Sequence, residues 1–333
     1  MLGTQVPIPS WDLGLLGYAW RYRIVVTLVA ASLASRLPLL SISIDEVDAA
    51  NFINALSYGY DISEIRPHPP GSPVYVFVGW IVNLLFDNPL RTLTFLSAVL
   101  GSLAVMPFYS LAREFTDEGL AFAGSLIFVV NPLIWSFSET ALSDVPSMFL
   151  VTSLAWLCYR GRHNNVSLML ACIVASLAIG LRQPNVSLML LLVFPFGYRV
   201  MVFRRVPWLP LLMGSALFIT ASVAWVVPMI WIGTDGIGDY FTALNRQWSA
   251  TVRPYDFTQV GSPFVPNLIL RVVRFFLGYS LLYPWTASDA KTASSLFLVV
   301  PWVFSFGLFL TGFSFRNPRH VFVALWGASI ICL

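Results

Sequence analysis

Charge is what this chain has least of. Only 11% of its 333 residues are Asp, Glu, Lys or Arg, against roughly 25% in an average soluble domain. With 57% hydrophobic residues and a mean hydropathy of +0.76, that shortage excludes a soluble globular protein and leaves a polytopic membrane protein. Lysine is nearly missing: Lys291 is the only one, and arginine carries the positive charge. A net charge of +3, spread over many short loops, excludes a nucleic-acid-binding patch. The three cysteines, Cys158, Cys172 and Cys332, lie in apolar runs without CxxC spacing. They read as small core residues, not as a disulfide or metal framework. No cleavable signal peptide is expected, because residues 1–20 are mixed and the first apolar run is long enough to span.

Aromatic residues are plentiful, with 12 Trp and 26 Phe, as interfacial belts and lipid-facing surfaces require. A span needs about 20 apolar residues. The runs that qualify are 22–42, 91–111, 119–138, 145–159, 166–181, 185–203, 208–232, 267–285 and 294–315. The pattern predicts an all-α, polytopic membrane protein of about nine to eleven transmembrane helices, with interfacial helices in its outer loops. Residues 1–333 read as a single transmembrane domain. The final run, 320–333, is too short to cross, so the C-terminal part is expected to be truncated.

Loop charge sets the orientation. Arg21 and Arg23 hold the N-terminus inside, so the loop after the first span, 43–72, is extracytoplasmic. Arg160, Arg162 and His163 belong inside, as do Arg199, Arg204 and Arg205. Counting back from Arg160 puts the segment from Ser138 to Pro146 outside, on the side of Asp45 and Glu46. Three apolar segments separate these clusters, and an odd number of crossings cannot return to one side. The run 73–86, which follows three prolines and a glycine and itself opens on Pro73, is therefore expected to dip into the membrane or lie in its plane. A second long outer loop, 233–266, carries a segment 237–250 able to form a surface helix, and Arg316 and Arg319 follow on the outer face. Basic residues outside need a reason. For Arg182, Arg316 and Arg319 an anionic ligand such as a lipid phosphate supplies one, and a miscounted span is the plain alternative.

The chemistry concentrates just past the first span, in Ile44-Asp45-Glu46-Val47-Asp48. Carboxylates are costly in an apolar region and face water, a partner or a substrate. Asp45 has the character of an N-cap for a helix-like stretch from Glu46 to Tyr58, with Phe52, Ala55 and Leu56 as its apolar stripe. Two readings stay open: a capped interfacial helix with solvated acids, or a carboxylate held at the membrane surface as a general base. His68, within Arg66-Pro67-His68-Pro69-Pro70-Gly71, is presented by a proline-stiffened backbone. Asp144, two residues before Pro146, sits where the first turn of a helix begins. No metal-ligand spacing, phosphate-binding glycine loop or Ser-His-Asp arrangement is present, and no cofactor follows from the spacing. A pair of acids could hold a divalent cation, with few further ligands in reach.

Taken together, Asp45-Glu46-Val47 with Phe52 downstream, then His68-Pro69-Pro70-Gly71, then Ala-Leu-Ser-Asp-Val-Pro around Asp144, resemble the protein O-mannosyltransferase-like superfamily. These are integral-membrane glycosyltransferases of the GT-C fold, and the similarity covers roughly residues 20–200. The resemblance implies inverting transfer from a polyprenyl-phosphate sugar on the extracytoplasmic face to the hydroxyl of a protein, lipid or glycan acceptor. It implies that Asp45 is the catalytic base, that Glu46 supports it, and that His68 lines the site. It further implies that Asp144 is the second acidic motif and that Arg316 and Arg319 meet the lipid phosphate. The chain continues His-Pro-Pro with Gly71-Ser72-Pro73, unlike the eukaryotic mannosyltransferases, and lacks a recognisable large lumenal domain. The pattern is closer to the bacterial and archaeal branch, which implies a cell-membrane protein.

Two other classes compete. A transporter or flippase of lipid-linked sugars places ionisable groups near the bilayer midplane, often in inverted repeats. Here the acids gather at one interface without an internal repeat. A membrane scaffold with partner-binding loops accounts for the loops, but not for Asp, Glu and His within residues 45–68.

Overall fold

A computed structural model describes residues 15–44, 46–204, 207–247, 249 and 317–331. The described residues are helical and include no strand, with one isolated antiparallel bridge between Asp61 and Arg66. The all-α expectation is met. Helix α1 (Leu15–Arg36) runs into a 3₁₀ turn, Leu37–Leu39, and after a short link α2 (Val47–Tyr58) follows. Then come α3 (Pro73–Phe86), α4 (Pro89–Leu103), α5 (Val105–Phe115), α6 (Glu118–Val130) and α7 (Pro132–Phe137). The chain continues through α8 (Asp144–Gly161), α9 (Asn165–Leu181), a 3₁₀ segment Gln183–Met189 and α10 (Leu190–Phe203). It closes with α11 (Trp208–Gly233), α12 (Ile237–Gln247) and α13 (Pro318–Ile331).

Asx residues start several of these helices. Asn88, Asp117, Asn131 and Asn164 each accept a backbone N–H of the first turn through the side chain, satisfying donors that a helix start leaves unpaired. Asn131 with Pro132 ends α6 and begins α7, so the expected span 119–138 is two helices. The expected span 185–203 likewise opens as a 3₁₀ segment at Gln183-Pro184 before α10. Among the described residues, three stretches are long and apolar enough to cross a membrane: Pro89–Phe115, Gln183–Val202 and Trp208–Gly233. Pro73–Phe86, Glu118–Val130 and Asn165–Leu181 are shorter apolar helices. The expected spans 267–285 and 294–315 lie outside the described residues.

Contacts sort the connections into two ends. At one end, Ser41 N–H donates to the Glu139 carbonyl (2.9 Å) and Ile62 N–H to the Gly233 carbonyl (2.8 Å). Gln183 Nε2 donates to the Pro70 carbonyl (3.3 Å), and Ser63 Oγ to Asp239 Oδ2 (2.5 Å). The links after α1, α2, α7, α9 and α11 therefore meet at one face. At the other end, Arg162 faces Glu114 across 4.0 Å, and buried Arg199 donates to the Gly161 carbonyl through Nε (3.0 Å) and Nη2 (2.7 Å). Desolvation by burial, then Arg162 and Arg199, push the His163 imidazole below its ordinary pKa in that inter-helix turn.

The face of loops has its own core. On α2, Ala49, Phe52 and Ala55 are buried, one stripe at helical spacing. They join Tyr60, Ile62, Tyr75, Leu93 and Leu142 in a single cluster. Burying a side chain such as Phe52 is worth about 1.5–3 kcal/mol, enough to fix which way α2 rolls. Helix α3 packs on elements of the same face: beside Gly79 lie Leu56 and Leu93, and Phe77 and Trp80 stand against Tyr60 at 5.4 and 6.2 Å between ring centroids.

Candidate active site

The loop 59–72 is the frame of the site. Asp61 Oδ1 accepts the N–H groups of Ser63 (3.0 Å) and Glu64 (3.1 Å), and its Oδ2 accepts Arg66 Nη2 (3.2 Å). The backbones of Asp61 and Arg66 exchange two hydrogen bonds of 2.7 Å. Tyr60 Oη donates to the Gly71 carbonyl (2.8 Å), while Gln183 Nε2 and Tyr240 Oη (3.4 Å) both donate to the Pro70 carbonyl. Burial, then the neighbouring Tyr240, push the Tyr60 phenol well above its ordinary pKa, so it remains a protonated donor. Gly71 has φ +111°, and a Cβ there would stand 2.6 Å from Tyr60 Oη. Only glycine fits.

His68 is held by this frame. Its carbonyl accepts Gly71 N–H (3.1 Å), its ring lies 6.4 Å from that of Phe52, and its Nδ1 stands 3.6 Å from Asp48 Oδ1. Nearby, fully buried Tyr75 packs edge-on to Phe52 at 4.8 Å and lies towards Ser97 and Asp144. Asp144 is the first residue of α8, with Ser143 at the N-cap position making no side-chain cap. Its carboxylate pairs directly with the Arg182 guanidinium. Both side chains keep about two-fifths of their surface exposed, 44% for Arg182 and 38% for Asp144. Such a pair contributes roughly 0–1 kcal/mol to stability, so its placement matters more than its strength. The corner carrying Arg182 is fixed by Asn185, whose Nδ2 donates to Ser147 Oγ and to the Ala178 carbonyl, both at 2.8 Å.

The structure thus brings His68, Asp144 and Arg182 to one face around the start of α3. Glu46 is exposed at the N-cap position of α2 without a side-chain cap. The expected cap at Asp45 is therefore replaced by Glu46, because α2 begins at Val47. Asp45 and Arg316 lie outside the described residues. Arg319 is not brought to this face. It lies three residues before Phe322, whose ring packs against Phe115, Tyr159 and Phe194 at 5.1–6.0 Å, near the end where Arg162 faces Glu114. Its expected position depended on counting both spans outside the described residues. Arg182 has Asp144 as an internal counter-ion, so an outer ligand is not required to explain it. Among the described residues no three His, Cys, Asp or Glu side chains converge as a metal site.

Sequence reasoning gave no contact to several residues here: Asp48, which it placed in the acidic stretch only, and Tyr60, Glu139, Gln183, Asn185 and Tyr240. Gln183 and Asn185 had a signal, since they flank Pro184 between two apolar runs. Glu139 sits where Ser41 bonds its carbonyl, and its Oε1 is buried without a hydrogen-bond partner. Desolvation pushes its carboxyl pKa up, against the Trp135 side chain and the Arg36 charge, which pull it down.

Residues 67–225 match the family model described as dolichyl-phosphate-mannose-protein mannosyltransferase. The matched segment holds His68, Asp144 and Arg182 and begins after Asp45, Glu46 and Asp48. No curated protein matches the chain.

Proposed function

We propose, from the premise that this chain belongs to the dolichyl-phosphate-mannose-protein mannosyltransferase family, that its loop face carries an inverting sugar transfer. Membership makes it an integral-membrane glycosyltransferase that uses a polyprenyl-phosphate-linked sugar. The acceptor is a hydroxyl of a protein, lipid or glycan, and the face is extracytoplasmic.

The acceptor oxygen attacks the anomeric carbon, the bond from that carbon to the phosphate oxygen breaks, and its electron pair leaves with the lipid phosphate. The acceptor proton passes to a carboxylate, for which Asp45 is the candidate, with Glu46 beside it. A single displacement of this kind uses one base and inverts the anomeric centre. The leaving group is already activated, so alignment and charge stabilisation are the protein's remaining tasks. Arg182 is the candidate for the phosphate. Asp144 engages its Nη1, and a guanidinium has five N–H donors in a fixed fork, so others remain free to meet phosphate oxygens. His68 and Asp144 line the same site. The packing of α3 on α2, on loop 59–72 and on the early part of α4 supports its staying at this face instead of crossing. Arg319 has no part in this reading.

The observation that carries the proposal is the convergence, within the family-matched segment, of His68, Asp144 and Arg182 on one face. The test uses membranes containing the chain, a labelled polyprenyl-phosphate sugar and an acceptor-rich membrane extract. Transfer with release of lipid phosphate is expected, and Asp45→Asn is expected to abolish it while insertion and melting temperature stay unchanged. Near-normal transfer by that variant removes Asp45 from the reaction. Flipping of the donor without bond cleavage overturns the assignment as a whole.

A further inference from the structure

We propose that Asp48 is a positioning residue for His68: it holds the proton on Nδ1 and so makes Nε2 the acceptor for a hydroxyl of the bound sugar. The inference rests on the reading of this face as a sugar-transfer site.

Two independent supports bring the pair together. From below, Asp48 and Phe52 are one turn apart on α2 and share a face. Phe52 is 2% exposed, locked edge-on against Tyr75 at 4.8 Å and lying 6.4 Å from the His68 ring. With the roll of α2 set by Phe52, Asp48 is carried on the side of the helix that meets the imidazole, its Oδ1 3.6 Å from Nδ1. From above, the backbone carrying His68 is tied by Tyr60 to the Gly71 carbonyl and by Gln183 and Tyr240 to the Pro70 carbonyl. Neither partner can drift away from the other without undoing one of these supports.

The imidazole itself shows which edge is which. Nδ1 is buried and has no hydrogen-bond partner, a condition that proteins rarely leave uncorrected. The group facing it is Asp48 Oδ1 at 3.6 Å, a gap that a small rotation of this exposed side chain closes. A carboxylate accepts only, so the nitrogen it faces must carry hydrogen. In the neutral ring the lone pair is then on Nε2. A quarter of the His68 side chain remains exposed, and since Nδ1 is shut off, that exposure belongs to the rest of the ring. An outward-facing acceptor on a rigid loop suits a hydroxyl, the group that a sugar offers in quantity.

The pair is too exposed to be a stability device, with 58% of the Asp48 side chain accessible. This separates a positioning role from a structural one. Transfer kinetics are measured in membranes for the intact chain, Asp48→Asn, Asp48→Glu, His68→Gln, His68→Ala and Asp48→Asn with His68→Ala. Melting temperatures of the purified variants are measured alongside. Asp48→Asn is expected to lower kcat/KM roughly tenfold at unchanged melting temperature, and Asp48→Glu to restore part of it. His68→Ala and His68→Gln are expected to lose at least as much, with no further loss when Asp48→Asn is added to His68→Ala. Unaltered kinetics in Asp48→Asn, an equal loss from it in the absence of the imidazole, or unaltered kinetics in both His68 variants overturns the proposal and leaves the glycosyltransferase reading standing. Absence of transfer by the intact chain overturns both.

Discussion

Arg36 has no exposed surface, and its guanidinium is met by oxygen atoms: Nη1 donates to the Ser32 carbonyl (2.9 Å) and Ser32 Oγ, and Nη2 to the Val129 carbonyl (3.1 Å). A cation at the last turn of α6 is favourably placed for that helix's dipole. The same charge acts on Glu139, whose carboxyl pKa burial raises. The folded protein therefore holds this proton more tightly than the unfolded chain does. Stability from this group is full below the ordinary glutamate range of about 4 and is lost as pH rises through the raised value. Glu139→Gln is expected to flatten the part of the melting-temperature profile that falls as pH rises above the ordinary glutamate range, and to melt above the parent at its upper end. Parallel profiles would remove Glu139 from the account. Glu46, His68 and Asp144 were singled out in the sequence because a charged or polar residue stands out in an apolar chain. The partners of Asp48, Glu139 and Gln183 could not be read there, because each lies well along the chain: His68, Arg36 and Pro70.

Among the elements, the loop 59–72 is the most constrained, and Gly71 is its tightest point. A methyl group at Gly71 meets Tyr60 Oη at 2.6 Å and must also adopt φ +111°. Gly71→Ala is therefore expected to cost roughly 1–3 kcal/mol and to lower transfer, measured as a drop in melting temperature alongside the kinetics. A variant with unchanged melting would show that the frame can relax. The bounds of α3 were readable because Pro73 opens it and the apolar run stops at Asp87. The break at Asn131-Pro132 was passed over, since hydropathy averaged along a run does not register one backbone N–H lost to proline, and the link at Gln183-Pro184 was read without the 3₁₀ turn that opens the next run. The surface helix expected at 237–250 is present as Ile237–Gln247. Its Tyr240 turns out to reach the His68 loop, which periodicity alone could not reveal.

For the whole molecule, the distribution of arginine anticipated that both acidic clusters share a side, and contacts from Ser41 to Glu139 and from Gln183 to Pro70 put their loops together. The same counting failed for Arg319. The proposed orientation has a direct test. Ile42 is 95% exposed at the loop face and Val166 is 65% exposed near the other end, while Cys158 and Cys172 are buried. A membrane-impermeant maleimide added to intact cells is expected to label Ile42→Cys, and to label Val166→Cys only after permeabilisation, each read against the parent chain. The opposite pattern would invert the protein. The fastenings of the Pro70 turn bear on how the molecule is made. Gln183 lies 113 residues beyond Pro70 and Tyr240 lies 170 beyond it. During synthesis the ribosome delivers the histidine loop long before either clasp exists. The turn that carries His68 therefore gains its second clasp only when α12 emerges, after α1 to α11 have all been made.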